Sequence, residues 1–169
     1  MSYTTFKISR RHLVAASLTG LALLASGCAT SVAPVGITDT IAKTPSLSTL
    51  SGLIAQAGLG ETLNGSGPFT VFAPNDEAFK ALPAKTMDEL AHNPAKLKEV
   101  LSYHVINGKS LAADIKNSKA TSLNGAVLEL SKAGDFVTVE SGAVGSADIL
   151  ASNGVVHVID TVLIPPVKK

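Results

Sequence analysis

The apolar residues of this chain recur with two different periods. Between residues 44 and 104 many of them lie three or four positions apart, which is typical of amphipathic helices. From residue 120 onward they form short alternating or continuous runs, which is typical of strands. Because the helices lie mostly before the strands, the pattern predicts an α+β fold rather than alternating βα units.

The stretch 68–79, PFTVFAPNDEAF, combines a strand with the start of a helix. Residues 69–72 are aromatic or β-branched, as in half-buried or buried strands. Pro74 ends this strand because it lacks an N–H, and Asn75 is suited to cap a following helix. Pro74 and Phe79 occupy the two positions of a hydrophobic staple. We therefore predict a capped strand-to-helix corner.

Boundary signals predict the remaining elements. Thr44-Pro45 is the N-cap and first-turn proline of a helix that Gly58 ends. The final apolar run, residues 155–164, is hydrophobic on both alternating faces, which predicts a central strand buried on both sides. The other signals are a capping box at 86–89, an Asn-Pro helix start at 93–94, a brief helix at 111–116, an Asn-Gly hairpin at 124–125, a strand at 136–140 and the final run at 155–164.

Residues 1–27 have the features of an export signal. A basic segment with Lys7, Arg10 and Arg11 precedes an apolar run at 13–25, which is too short to span a bilayer. Residues 24–28, LASGC, resemble a bacterial lipobox, which implies cleavage before Cys28 and lipid attachment to its sulfur. A free Cys28 behind an ordinary signal peptide is the alternative. Residues 9–13, SRRHL, also resemble a twin-arginine motif, so both export routes stay open.

The lipobox resemblance implies a protein anchored in the cell envelope through Cys28. The residue after the cysteine is Ala29 rather than an aspartate, which in Gram-negative lipoproteins implies release to the outer membrane. The expected location is therefore the outer membrane, facing the periplasm or the cell surface. Residues 28–43 show no clear periodicity and predict a tether, which leaves 44–166 as one domain. The chain has one cysteine, so this domain must be stabilised by its core without disulfides.

Charge and aromatic content argue against a nucleic-acid partner. Loss of the leader changes the formal net charge from +1 to −2, whereas nucleic-acid binding requires a clustered basic face. The chain has no tryptophan, and Tyr103 is the one tyrosine after the leader, so it offers no base-stacking platform.

The candidate chemistry is limited to two histidines in apolar runs, His104 and His157. A metal site is one interpretation, but it needs three or four convergent ligands, and these two lie 53 positions apart. The favoured alternative is a buried neutral imidazole that bonds the backbone or Asn75. No serine lies in a G-x-S-x-G motif, and the acidic pairs 76–77 and 88–89 suit helix starts better than acid–base catalysis.

Three segments together resemble the fasciclin domain family. Residues 70–79 (TVFAPNDEAF) resemble its first signature segment, 103–104 (YH) its central Tyr-His motif, and 153–160 (NGVVHVID) its second signature segment. The resemblance covers about residues 44–165 and implies a wedge of two β-sheets packed with several short helices. It implies that both segments are neighbouring core strands with mainly structural roles for their residues: Thr70, Phe72, Pro74, Asn75, Phe79, Tyr103, His104, Asn153, Gly154, His157 and Asp160.

The resemblance also implies a function without catalysis. The family is associated with cell adhesion and matrix interactions, and in animal members the regions matching Tyr103, His104, Asp148 and Ile149 are linked to integrin binding. We expect a monomer that needs no cofactor or metal and binds a surface or matrix protein or a polysaccharide. The alternatives are a periplasmic carrier or sensor of a small apolar ligand, and an enzyme.

Overall fold

The computed structural model describes residues 35–166, which form six α-helices, one 3₁₀ turn and seven strands. The helices are α1 (Ile37–Lys43), α2 (Ser48–Gln56), α3 (Gly60–Leu63), α4 (Asp76–Lys80), α5 (Ala84–His92) and α6 (Pro94–Tyr103), and the 3₁₀ turn is Pro45–Leu47. The strands are β1 (Phe69–Pro74), β2 (Val105–Asn107), β3 (Ser118–Thr121), β4 (Val127–Ala133), β5 (Phe136–Val139), β6 (Gly142–Ala151) and β7 (Gly154–Ile159). Within the described residues no helix is long and apolar enough to cross a membrane.

The strands are hydrogen-bonded in the order β2-β1-β7-β6-β5-β4-β3. Strands β1 and β7 are parallel, and the other pairs are antiparallel. Strand β6 joins two sheets, because its start pairs with β5 and the rest pairs with β7 through two register shifts. A bridge between Ile106 and Ser122 brings the first and last strands of the order together. The predicted α+β wedge of two sheets with short helices is confirmed.

Alternate residues of the two central strands are buried in two separate cores. Val71 and Val158 belong to the core between the sheet and the helices. Phe72 and Ile159 belong to the core enclosed by the strands. All six residues of β7 are buried, so the prediction of a central strand covered on both faces is confirmed, although it ends at Ile159 rather than at residue 164.

The tether predicted at 28–43 is wrong for its second part, because Ile37–Lys43 is helix α1. Ile37 and Ile41 are fully buried, and the Ser152 N–H donates to the Val35 carbonyl at 2.9 Å. The domain therefore includes residue 35 onward rather than beginning at 44. The leader 1–27, Cys28 and the tether residues up to 34 lie outside the described residues.

Three local predictions also differ from the structure. Helix α5 begins at Ala84 rather than at a capping box at 86–89, because Pro83 fixes the backbone of the N-cap. Thr44 precedes the 3₁₀ turn, but its hydroxyl donates to the Thr40 carbonyl at 2.8 Å instead of capping. Residues 111–116 form a turn rather than a brief helix, and β6 was not predicted.

Candidate functional site

The two signature segments lie side by side as the parallel pair β1–β7. Phe69 is opposite Gly154 and Pro74 is opposite Ile159, as expected for neighbouring core strands. Asn75 follows directly and its Oδ1 accepts the Ala78 N–H at 2.7 Å, which confirms the predicted helix cap. Phe79 of this helix is 5 % exposed and belongs to the core between sheet and helices.

His104 joins the end of α6 to the C-terminal segment. Its Nδ1 lies 2.8 Å from the Val100 carbonyl, and its Nε2 accepts the Leu163 N–H at 2.9 Å. These partners require a neutral ring with the proton on Nδ1. Burial lowers the pKa of His104 from 6.5 to about 4, although the hydrogen bond to Val100 acts in the opposite direction. The ring is therefore an uncharged structural link at neutral pH.

His157 has the opposite proton arrangement. Its Nδ1 accepts the Asp148 N–H at 3.2 Å, and its Nε2 donates to the Ser110 carbonyl at 2.8 Å. Its ring stacks on Phe72 with centroids 5.6 Å apart. Both histidines thus bond the backbone, and the expected alternative partner Asn75 is not used. Within residues 35–166 no group of three or more His, Cys, Asp or Glu residues is placed to bind a metal ion.

Asn153 connects three parts of the chain at the start of β7. Its Oδ1 accepts the Ile37 N–H at 3.0 Å, and its Nδ2 donates to the Leu63 and Gly65 carbonyls at 2.6 and 3.1 Å. At Gly154, an added Cβ would lie 2.1 Å from the Phe69 carbonyl oxygen, so only glycine allows the two strands to approach here.

Other polar signature side chains fasten loops and turns. The Thr70 hydroxyl donates to the Gly108 carbonyl at 2.7 Å and accepts the Ser110 N–H at 2.9 Å. Asp160 Oδ1 accepts the Ala143 N–H at 2.8 Å, which holds β6 against the end of β7. Asp148, which lies outside the signature segments, also fastens a turn, because its Oδ1 accepts the Ala112 N–H at 2.8 Å.

Tyr103 is buried, but its hydroxyl reaches an open cleft. The hydroxyl lies 3.2 Å from both the Val127 carbonyl and Glu140 Oε1. Burial, with a further contribution from the Glu140 carboxylate, raises the pKa of Tyr103 to about 12. The cleft has a volume of about 350 Å³, and its other lining residues are Lys119, Val127, Glu129, Glu140, Ile164 and Pro166. We call it the Glu140 cleft.

The acidic pair predicted at a helix start has a structural position. The Ser48 hydroxyl and the Thr49 N–H both donate to the Asp76 carboxylate at 2.8 Å, which joins the starts of α2 and α4. The Thr49 N–H is the main cause that holds the pKa of Asp76 below its usual value of 3.8. Glu77 instead forms an exposed ion pair with Lys80 at 2.7 Å. This arrangement fits helix capping rather than proton transfer.

Comparison with protein-family models matches the fasciclin domain over residues 45–165. The chain belongs to the fasciclin domain family. It is 44 % identical over 132 residues to protein sll1483 of Synechocystis, covering 77 % of this chain and 73 % of that protein. It is 43 % identical over 138 residues to transforming growth factor-beta-induced protein ig-h3 of Sus scrofa, covering 80 % of this chain and 20 % of that protein.

Two further similarities concern a bacterial protein and a solved structure. Cell surface glycolipoprotein MPB83 of Mycobacterium bovis is 39 % identical over 127 residues, covering 72 % of this chain and 57 % of MPB83. A FAS1 domain pair from the insect cell adhesion molecule fasciclin I superposes with a TM-score of 0.60 at 16 % identity, covering 79 % of this chain and 51 % of that chain. This second similarity establishes the fold alone.

The structure places most signature residues of this fasciclin domain in the interior, whereas Asp160 is exposed. Tyr103 also lines the Glu140 cleft, whose other lining residues lie outside the signature segments. Ile149, next to Asp148, packs partly buried against the core between sheet and helices. Glu140 and Ile164, which line the cleft, were not singled out from the sequence. Glu140 lies in the turn between β5 and β6 with a φ of 54°, and no local pattern marks it as part of a cleft.

Proposed function

We propose that this fasciclin-domain protein is a non-enzymatic, lipid-anchored protein of the cell envelope that mediates adhesion to a surface or matrix partner. The observation that carries the proposal is family membership over most of the chain, together with 39 % identity to a protein named as a cell surface glycolipoprotein. The fasciclin I neighbour, named as a cell adhesion molecule, shares the fold. Lipid on Cys28 would hold the domain at the membrane.

The position of the signature residues supports a binding role for the outer surface. Thr70, His104 and His157 use their polar atoms on the chain's own backbone, so they have little capacity left to bind a partner or a substrate. Val127 and Ile164 are 49 % and 57 % exposed and line the same cleft, and exposed aliphatic side chains in one place are typical of interaction surfaces. Binding from the outside is therefore the function that this arrangement favours.

Gene deletion followed by complementation tests the proposal in the source bacterium. Deletion should reduce attachment to a matrix-coated surface and biofilm formation, and the intact gene should restore both. A Cys28→Ala gene should yield folded protein in the soluble fraction that fails to restore attachment, because the protein lacks its anchor. Unchanged attachment after deletion would contradict the adhesion role, and Cys28→Ala protein in the outer-membrane fraction would contradict lipidation.

Carriage of a small apolar ligand remains the alternative. It predicts an enclosed apolar cavity, whereas the Glu140 cleft and the groove between α1, α2 and α3 at Thr38, Ile54 and Gly60 are open to solvent. Native mass spectrometry of the purified protein distinguishes the two functions, since a carrier retains a ligand mass. Size-exclusion chromatography with light scattering tests the expected monomer.

A further inference from the structure

We propose that the Glu140 cleft binds an arginine side chain presented by a protein partner. The inference deepens the proposed function, because it names the binding site and the chemistry of the partner. Ligand pockets usually have volumes of about 300–1,000 Å³. The cleft has a volume of about 350 Å³ and is open to solvent, which suits one long side chain of a macromolecule better than a whole small molecule.

The charges of the cleft favour a cation. Lys119 pairs with Glu129 at 3.0 Å, which leaves the Glu140 carboxylate uncompensated among the lining residues. Glu140 Oε1 accepts the Glu129 N–H at 3.0 Å and contacts the Tyr103 hydroxyl, and these bonds hold the carboxylate in place. Within residues 35–166 the other oxygen, Oε2, has no hydrogen bond and can accept one from a ligand.

The apolar lining favours a cation with an aliphatic stem. Val127 and Ile164 line the cleft and are about half exposed, so contact with the methylene groups of a bound side chain would remove apolar surface from water. Arginine fits better than lysine because its guanidinium is more weakly hydrated and presents paired N–H donors to a carboxylate. A positively charged, partly apolar side chain therefore matches both components of the cleft.

Titration of the ¹⁵N-labelled Cys28→Ala chain with the peptide acetyl-Ala-Val-Arg-Val-Ala-amide tests the proposal by nuclear magnetic resonance. The control peptide contains citrulline in place of arginine, which keeps the shape and removes the charge. We expect saturable shifts at the amides of Val127, Glu129 and Glu140, binding about two- to fivefold weaker for the citrulline peptide, and weaker arginine binding as salt rises.

Matched variants separate the cleft from general surface charge. Glu140→Gln removes the charge but keeps an acceptor for Tyr103 and the Glu129 N–H, so it should fold and bind the arginine peptide about two- to fivefold more weakly. Glu61→Gln makes the same change at an exposed position on α3 outside the cleft and should bind like the parent. Ile164→Ser should also weaken binding while leaving the charges intact.

Several results would overturn the proposal. They are no saturable shift with the arginine peptide, equal binding of both peptides, shifts confined to residues outside the cleft, or parental affinity in Glu140→Gln with an unchanged melting temperature. Complementation separates this inference from the adhesion role. If a Glu140→Gln gene fully restores attachment, arginine binding by the cleft is refuted while the adhesion role stands. If deletion of the gene leaves attachment intact, the adhesion role is refuted, and the titration alone decides whether the cleft binds arginine.

Discussion

Replacement of His104 by alanine should strongly destabilise the domain. The substitution removes the hydrogen bonds to the Val100 carbonyl and the Leu163 N–H, at a side chain that is 2 % exposed. An unsatisfied buried polar group costs about 1–3 kcal/mol. Loss of the ring adds a cavity, so the expected decrease in the free energy of unfolding is about 3–5 kcal/mol in total. For a domain of this size, that corresponds to a fall in Tm of about 10–20 °C.

The pH dependence gives a second measurement on the same residue. The folded-state pKa of His104, about 4, lies below the ordinary value of 6.5, so the unfolded chain binds this proton more readily. The neutral ring therefore contributes its full stabilisation above pH 6.5, and this contribution is lost as the pH falls from 6.5 to about 4. The loss amounts to about 3 kcal/mol at most. In His104→Ala this part of the pH dependence of the free energy of unfolding should be absent.

Urea unfolding followed by circular dichroism at pH 7 and pH 4.5 measures both effects. His92→Ala is the matched control, because His92 is exposed and its ring forms a hydrogen bond with the Asp88 carbonyl of its own helix. The control should unfold within about 0.5 kcal/mol of the parent and keep the parental pH dependence. The reasoning would be refuted if His104→Ala were as stable as the parent. It would also be refuted if the free energy of unfolding fell by the same amount between pH 7 and pH 4.5 in His104→Ala and in the control.

Three further substitutions test other parts of the interior by the same unfolding measurement. Asn153→Ala removes three side-chain hydrogen bonds and should cost about 2–4 kcal/mol, and a loss below about 1 kcal/mol would contradict its connecting role. Gly154→Ala places a Cβ against the Phe69 carbonyl, so it should lower the free energy of unfolding by more than about 4 kcal/mol or prevent folding. The control is Gly145→Ala, where a Cβ meets no atom within 4 Å, and this variant should fold normally. Equal stability of the two variants would contradict the prediction. Ile41→Ala should cost about 2–5 kcal/mol if α1 is part of the core, while a tether would tolerate it without change.

Elements with strong local signals were predictable from the sequence. Asn75 and Asn93 cap their helices with side-chain oxygens, as the Asn-Asp and Asn-Pro pairs predict. Asn124-Gly125 forms the turn between β3 and β4, where Gly125 has a φ of 84° that glycine accommodates without strain. These structures depend on neighbours within a few residues, so the sequence pattern alone indicates them.

Elements that depend on distant partners were not predictable. Helix α1 has seven residues and two fully buried isoleucines, and its position depends on Asn153, whose Oδ1 accepts the Ile37 N–H across 116 positions. Strand β6 is rich in small residues, mostly exposed and interrupted by two register shifts, so it has no period-two pattern. The Glu140 cleft combines residues from separate segments, and its shape exists only after folding.

The parallel pairing of β1 with β7 has a consequence for how the domain is assembled. The partners Phe69 and Gly154 are separated by 85 positions, so the centre of the sheet closes only when a very long loop has been brought together. A nascent chain that stops before β7 lacks the strand that separates β1 from β6. Folding of the sheet must therefore wait until β7 has been synthesised, and until then the aliphatic residues of both cores remain accessible to chaperones.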